Sequence, residues 1–239
     1  MSESPGLPPE AFSKGLFRLG FNAMGTRCEI HYAASSVEHA DPFRRDALAW
    51  VRRFEARYTR FREDSLIGRI NAAAGKDAVE IDEEDARLFD LCETLHFHTE
   101  GLFDPATLPL SLLWDFRAEK PRVPAENEVQ AALSKVGWKK VRRAGGSVQL
   151  PEEGMGLDFG GFGKEYAVDR VADLARKSGI ENALIDFGGD VLGRCTHVEI
   201  DERLAFGAVH DDIVAVIDKI ALGVLAFGNF GIGAIALHH

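Results

Sequence analysis

The alternation of hydrophobic and polar positions near the start of the chain predicts two strands joined by a turn. Strand character begins near Leu16, and after the turn at 22–25 a run from Thr26 to Tyr32 alternates between apolar or small and polar residues. Such alternation is typical of a strand with one buried face. The residues up to about position 15 are polar and rich in proline, and we expect them to form a flexible lead.

Apolar residues at helical spacing predict three helices further along the chain. The first covers 43–58, where Phe43, Ala47, Val51, Phe54 and Tyr58 share one face and arginines lie between them as a solvated face. The second covers 83–99, with Asp82 as N-cap. The third covers about 125–136 and is stopped by Gly137.

The segments between these helices carry turn and cap signals. Ser65 or Asp64 should cap a short helical turn within 61–71. The stretch 101–116 is hydrophobic but contains two prolines, which favours a packed irregular connection or a short helix. Two short strands around Val141 and Val148 should form a hairpin at Gly145–Gly146.

A glycine-rich turn at 160–163 precedes a predicted helix and a short apolar strand at 183–187. Glycine allows positive φ and close approach of a ligand, and the free N–H groups of a helix start attract anions. The pattern therefore fits either a phosphate-binding turn or an ordinary loop and helix cap. Asp158 and Asp190, which stand beside glycines at the two ends of this segment, favour a ligand site, since acids beside such backbone often bind a metal or a polar group.

Composition narrows the class of protein. The 239 residues are 46% hydrophobic and 28% charged, which suggests one large or two small globular domains. A net charge of −10 argues against a general nucleic-acid binder, and no apolar run is long enough for a membrane span. The three cysteines lack metal-ligand spacing and suggest free thiols. With no secretory signal, we expect a cytoplasmic protein.

Five sequence blocks, taken in order, resemble the ApbE family of flavin transferases, the FAD:protein FMN transferases. The blocks are A-M-G-T at 23–26, F-R-E-D-S-L-I-G-R-I-N at 61–71, G-L-F-D-P-A-T-L-P-L-S-L-L-W-D-F at 101–116, L-D-F-G-G-F-G-K-E-Y-A-V-D at 157–169 and N-A-L-I-D-F-G-G-D at 182–190. They cover about 19–190, and five ordered blocks are far more specific than any one of them.

The resemblance implies an α+β fold, ApbE-like and T-fold-related, with mostly antiparallel sheets and flanking helices, in a single domain over 16–239. It also implies a cleft for FAD and an Mg²⁺-dependent reaction. In that reaction the FMN phosphate passes to a Ser or Thr hydroxyl of a target flavoprotein and AMP leaves. The oligomeric state stays open.

Position by position, the resemblance also implies a set of site residues. Gly161 falls on a position that helps to hold the metal, for which it can offer only its backbone carbonyl. Without the family, Met24 and Phe103 fit equally well as core residues, and Asp104 before Pro105 fits as a turn residue. The implied flavin contacts are Met24, Phe61 (where the family often has tyrosine), Leu102, Phe103, Asp104, Asp158 and Lys164.

The family pattern includes two later blocks, His-x-x-x-Pro and Asp-Ala-x-x-Thr, the second of which supplies side-chain metal ligands. Neither pattern occurs in this sequence. We therefore expect a domain that lacks the usual C-terminal part of the family. The alternative interpretation is a non-catalytic FAD-binding or scaffold protein without the metal ligands.

Overall fold

The computed structural model of the protein describes residues 10–13, 15–114 and 122–194, with side chains described from residue 15 onwards. Its helices are α1 Val37–Tyr58, α2 Leu66–Ala72, α3 Glu83–His98, α4 Leu108–Ser111, α5 Glu126–Leu133 and α6 Gly163–Lys177. Its strands are β1 Glu10–Ser13, β2 Leu16–Ala23, β3 Thr26–Ala33, β4 Val79–Glu80, β5 Arg142–Ala144, β6 Ser147–Gln149, β7 Ala183–Phe187 and β8 Asp190–Arg194. In the described part of the chain, no helix is long and apolar enough to cross a membrane.

The strands form two antiparallel sheets. The larger has the order β1-β2-β3-β7-β8, and the smaller has the order β4-β6-β5. At the centre of the larger sheet, Ile30 of β3 lies opposite Leu19 of β2 on one side and Ile185 of β7 on the other. Cys28, Ile30 and Tyr32 are buried, so the alternation in the sequence marks the face that meets the core. The expected α+β fold with antiparallel sheets is confirmed.

Helices α1 and α6 pack against each other, and α6 also packs against β7 and β8. The buried face of α1 is the one that the helical spacing predicts, including Phe43, Ala47, Val51 and Phe54. These residues, the buried face of α6 and the inner face of the large sheet belong to one hydrophobic core. Core packing therefore holds the C-terminal end of α1 and the N-terminal end of α6, which are the two helix ends nearest the glycine-rich turn.

Several caps follow the sequence signals. Asp82 caps α3 by accepting a hydrogen bond from the N–H of Asp85, and Asp85 accepts one from the N–H of Asp82. Ser65 caps α2 by accepting from the N–H of Gly68 at 2.8 Å. The hairpin between β5 and β6 turns at Gly145 and Gly146, which both have positive φ. These predictions are confirmed.

Other boundaries differ from the predictions. Residues Glu10–Ser13, expected in the flexible lead, form β1 and pair with β2. Helix α1 begins at Val37, earlier than the periodic pattern indicates, and it tolerates Pro42 inside it. Helix α5 ends at Leu133 and is followed by a separate 3₁₀ turn at Trp138–Lys140. Apolar periodicity reports only the part of a helix that faces the core, so its ends are poorly defined by sequence.

Candidate functional site

A cleft of about 540 Å³ opens where three distant parts of the chain meet. Its lining comes from 24–26 at the β2–β3 turn, from 54–61 at the end of α1, and from 158–164 at the start of α6. The large sheet supplies the first of these segments, and the packed pair of helices supplies the other two. The lining therefore comes from the ends of α1 and α6, from the turn of the large sheet, and from the loop residues beside the two helices.

The β2–β3 turn is a two-residue loop, because Ala23 pairs directly with Thr26. Its central residues Met24 and Gly25 have φ values of 52° and 73°. Positive φ at both positions is the requirement of the type I′ hairpin turn, which matches the twist of the flanking strands. The N–H of Met24 donates a hydrogen bond of 2.6 Å to Oε1 of Glu55 on α1. The backbone of Met24 is thus held at the cleft both by the β2–β3 hairpin and by Glu55 of α1.

A chain of charged and aromatic contacts forms another wall. The Arg60 guanidinium lies 4.2 Å from the centre of the Phe61 ring, and its Nε lies 2.8 Å from Oδ2 of Asp158. The other carboxylate oxygen of Asp158 accepts from the N–H of Gly160 at 2.8 Å. Phe61 itself is 80% exposed, which leaves one ring face open to a ligand.

Helix α6 begins at this wall with Gly163, and Lys164 is its second residue. The Lys164 ammonium lies 3.0 Å from Oδ2 of Asp190, the first residue of β8. The helix start brings a partial positive charge to the same place. Lys164 and Arg60 bring two cations to this end of the cleft, each paired with an aspartate, and the α6 N-terminus adds a partial positive charge beside them.

Asp190 owes its position to a second two-residue hairpin loop. Phe187 pairs with Asp190, and Gly188 and Gly189 between them have φ values of 71° and 101°. A Cβ atom at Gly188 would lie only 2.4 Å from Oγ1 of Thr26. The β7–β8 turn therefore packs directly on the cleft wall at Thr26, and only glycine fits there.

The cleft lining contains four of the seven residues predicted to contact flavin, namely Met24, Phe61, Asp158 and Lys164. The other three, Leu102, Phe103 and Asp104, lie outside the lining in the segment between α3 and α4. Leu102 is 93% exposed. The segment is tied to the cleft because the N–H of Asp158 donates to the carbonyl of Pro105 at 2.9 Å.

Phe103 and Asp104 also have structural contacts of their own. The Phe103 ring packs edge-on against Phe162, with the ring centres 5.4 Å apart. The Asp104 carboxylate accepts from the N–H groups of Ala106 at 2.7 Å and Trp138 at 2.9 Å. The core and turn roles that the sequence left open for these two residues are therefore present. A flavin contact for either residue remains a prediction.

The predicted metal position has few partners in the described part of the chain. Gly161 is exposed and lies outside the cleft lining. Across 10–13, 15–114 and 122–194, no group of three or more His, Cys, Asp or Glu residues is placed to hold a metal ion. Asp158 and Asp190 are each paired with a cation instead. These residues do not form the set of carboxylate ligands that Mg²⁺ prefers.

Sequence reasoning missed several polar or aromatic residues of the lining, among them Thr26, Glu55, Tyr58 and Arg60. The helical spacing places Tyr58 on the buried face of α1 and does not single out Glu55. Glu55 lies one helical turn before the end of α1 and next to the buried Phe54, and its contact with the Met24 turn is visible only in the folded structure.

Behind the cleft, Tyr58 connects to a buried carboxylate. Its hydroxyl donates to Oδ1 of Asp85 at 2.7 Å, and the Arg57 guanidinium binds both oxygens of the same fully buried carboxylate. Burial raises the pKa of Asp85, but the hydrogen bonds from Arg57, from the Asp82 N–H and from Tyr58 outweigh it and hold the pKa below its ordinary value. Burial, followed by the bond to Asp85, raises the pKa of Tyr58.

A second cavity of about 410 Å³ lies at the β2–β3 turn and shares part of its lining with the cleft. Its lining includes Asn22, Ala23 and Arg27, and it shares Gly25, Thr26 and Glu55 with the cleft. Glu55 thus faces both spaces.

Comparison with known proteins identifies relatives of one kind. The model of the ApbE family matches residues 24–218. The chain is 28% identical over 179 residues to the FAD:protein FMN transferase of Treponema pallidum (strain Nichols), a match that covers 70% of this chain and 49% of the relative. It is 32% identical over 143 residues to the enzyme of the same name from Klebsiella pneumoniae (strain 342), covering 59% and 45%. The chain spans about half the length of these curated relatives.

Solved structures agree with the fold. The ApbE protein from Thermotoga maritima matches with a TM-score of 0.67 and 29% identity, over 74% of this chain and 58% of that one. The flavin transferase ApbE from Vibrio cholerae matches with a TM-score of 0.67 and 23% identity, over 75% and 59%. The family match extends over most of the chain and includes all three segments that line the cleft. The protein belongs to the ApbE family.

Proposed function

We propose that the protein is an FAD:protein FMN transferase. The observation that carries the proposal is the meeting of Met24, Phe61, Asp158 and Lys164 in one cleft, from segments far apart in the sequence. The resemblance to the family implies a flavin contact for each of these four residues. The relatives bear the name of this activity.

The proposed reaction moves FMN from FAD to a Ser or Thr hydroxyl of a target flavoprotein. The hydroxyl oxygen forms a bond to the phosphorus on the FMN side, and the bond from that phosphorus to the bridging oxygen breaks. AMP leaves with the bridging oxygen, and the hydroxyl proton is released. Phosphoryl transfer of this kind depends mainly on positioning and on neutralising negative charge.

The residues of the cleft suit these two tasks. The Lys164 ammonium and the start of α6 offer positive charge for the diphosphate of FAD. Phe61, with its open ring face, and Met24 offer apolar surface for the isoalloxazine ring. Asp158, held by Arg60 and by the Gly160 N–H, is an acceptor for polar groups of the flavin. Leu102, Phe103 and Asp104 would join the site through the Pro105–Asp158 contact.

Magnesium enters the proposal through the family resemblance. When bound, Mg²⁺ neutralises charge on the pyrophosphate, and Gly161 would contribute its backbone carbonyl. The described residues supply no carboxylate set beside it, so no step of the reaction is assigned to the metal.

The partner in this reaction is a target flavoprotein, and neither nucleic acid nor a membrane takes part in it. The free thiols Cys28 and Cys92 support a reducing compartment, and we propose the cytoplasm.

The experiment is incubation of the protein with FAD, Mg²⁺ and a peptide that carries an acceptor threonine. AMP release and a flavin-labelled peptide, both lost with EDTA, are the expected result. A peptide with alanine in place of the threonine is the control. FAD binding without AMP release would reject the transferase and leave the non-catalytic flavin-binding interpretation. Absence of FAD binding would reject both.

A further inference from the structure

Met24 adopts a backbone conformation that its side chain disfavours. Its φ of 52° lies in the left-handed region, where non-glycine residues are uncommon and Asn, Asp and Gly are enriched. Two-residue hairpin loops of this type favour Asn-Gly or Gly-Gly, and the β7–β8 loop of the same sheet does use Gly188-Gly189. A methionine at the first loop position therefore needs support from outside the turn.

Glu55 provides that support. Its Oε1 accepts the Met24 N–H at 2.6 Å, a bond between residues 31 positions apart. A hydrogen bond from an N–H to a charged carboxylate is shorter and stronger than a neutral one. Glu55 lies between Phe54 and Tyr58, which are buried in the core, so the carboxylate is presented from a fixed part of α1.

The place of this acid is otherwise unfavourable. A carboxylate near the C-terminal end of a helix opposes the helix dipole, and Glu55 also lines a cleft proposed to bind a diphosphate. Within the described ranges no Lys, Arg or His comes within ion-pair distance of it. Within those ranges, the bond from the Met24 N–H is the one hydrogen bond that the Glu55 carboxylate accepts. The turn is thus the feature of the structure that accounts for an acid at this position.

We infer that Glu55 is a positioning residue of the flavin site, which fixes the β2–β3 turn so that the Met24 side chain projects into the cleft. The inference rests on the proposed function, because it takes flavin as the ligand that Met24 contacts. Glu55 acts through Met24 and is assigned no contact with the reacting atoms.

Equilibrium binding of FAD, followed by flavin fluorescence, tests the inference. Glu55→Ala should raise the Kd for FAD about tenfold, since the turn loses its charged acceptor. Glu55→Gln keeps an acceptor oxygen at the same place and should restore most of the affinity. Asp46→Ala removes an exposed acid from the same helix and should leave the Kd unchanged.

Amide hydrogen exchange at Met24, measured by NMR without flavin, supplies a second readout. Exchange at Met24 should accelerate in Glu55→Ala and stay slow in Glu55→Gln, while exchange in β7 stays unchanged in both. This measurement separates loss of the turn contact from general unfolding.

The outcomes are distinct. If the unaltered protein binds FAD and Glu55→Ala binds it equally well, the inference fails and the proposed function stands. If the unaltered protein binds no FAD, the proposed function fails and the inference falls with it. If the loss in Glu55→Ala appears only when Mg²⁺ is present, the carboxylate belongs to a metal site and the positioning role is wrong.

Discussion

Lys164 carries the positive charge at the end of the cleft where α6 begins. Replacing it with alanine removes a cation from the proposed diphosphate site and leaves Asp190 without its ion pair. We expect Lys164→Ala to raise the Kd for FAD about tenfold or more, equal to roughly 1.4 kcal/mol or more. Titration of flavin fluorescence measures the change.

Lys177→Ala is the matched control for this experiment. It removes an exposed lysine from the other end of α6 and should leave FAD affinity unchanged. Equal affinity of Lys164→Ala and the unaltered protein would remove Lys164 from the site.

Substitution of Gly188 tests the contact between the β2–β3 turn and the β7–β8 turn. Gly188→Ala combines a strained φ of 71° with a Cβ that would lie 2.4 Å from Oγ1 of Thr26. Gly145→Ala has a similar strain, at φ 57°, but open space around the new Cβ. We expect Gly145→Ala to cost about 1 kcal/mol of unfolding free energy and Gly188→Ala about 3 kcal/mol. Urea unfolding measures both.

A further substitution identifies the cause of that difference. Thr26→Ala in the Gly188→Ala background removes the atoms nearest the new Cβ and should recover part of the loss. Equal costs for the two single substitutions would mean that the turns do not press on each other.

At the residue scale, the resemblance to the family singles out Met24, Phe61, Asp158 and Lys164, which line one cleft, and their contact with flavin stays a prediction. Sequence reasoning missed Glu55 and Arg60, whose roles depend on contacts across the fold, with Met24 31 positions away and with Asp158 in another segment. In the sequence both look like polar positions at the end of an amphipathic helix. No local pattern distinguishes a solvated charge from one that supports a turn.

Among the elements, the contact of α1 with α3 depends on the Asp85 carboxylate. It is fully buried and accepts hydrogen bonds from Arg57, Tyr58 and the Asp82 N–H. Asp85→Asn would leave the Arg57 guanidinium without its buried partner, and we expect a loss of about 3 kcal/mol in unfolding free energy. Glu83→Gln, which neutralises an exposed acid in the same helical turn, should change stability little.

Because of the Asp85 carboxylate, we also expect the unfolding free energy to fall steeply in acid. An Asp carboxyl in an unfolded chain titrates near pH ~4, whereas the pKa of Asp85 is lower in the folded protein. Its stabilising contribution is therefore complete above about pH 4 and is lost as the pH falls through the folded pKa. Unfolding free energy measured from pH 5 to pH 2 should fall more steeply for the unaltered protein than for Asp85→Asn. Parallel curves would contradict a lowered pKa at this residue.

Elements were predictable where local chemistry alone decides them. The β2–β3 pair, the Asp82 cap and the strand at 183–187 follow from alternation, a capping pair and an apolar run. The strand β1 was missed because residues 10–13 take their strand state from pairing with β2. The two-residue strand β4 is likewise set by its pairing with β6, and a pattern of period two cannot be read in two residues.

At the scale of the whole molecule, the reaction rates of two buried thiols measure whether the hydrophobic core opens as one cooperative unit. Cys28 on β3 and Cys92 on α3 are both fully buried and belong to the same core. Burial raises the pKa of Cys28 to about 11 and raises that of Cys92 as well. We expect both to react with iodoacetamide at pH 8 only through opening of the core, and at equal rates across sub-denaturing urea.

Mass spectrometry of the labelled peptides gives the two rates. Faster labelling of Cys92 would show that α3 opens as a separate unit. The raised pKa of Cys28 also means that its contribution to stability is complete below about pH 9 and is lost as the pH rises through about 11.

The pairing of β3 with β7 has a consequence for synthesis on the ribosome. Ile30 in β3 finds its partner Ile185 only after 155 further residues have been added, and the cleft wall at 158–164 arrives almost as late. The β2–β3 turn that carries Met24 is synthesised early, but the cleft wall at 158–164 that faces it is absent until then. A nascent chain stalled before residue 158 should therefore retain no flavin. A chain stalled after β8 has left the exit tunnel should retain flavin. Flavin binding by chains stalled at successive lengths would therefore show at which length β3 pairs with β7.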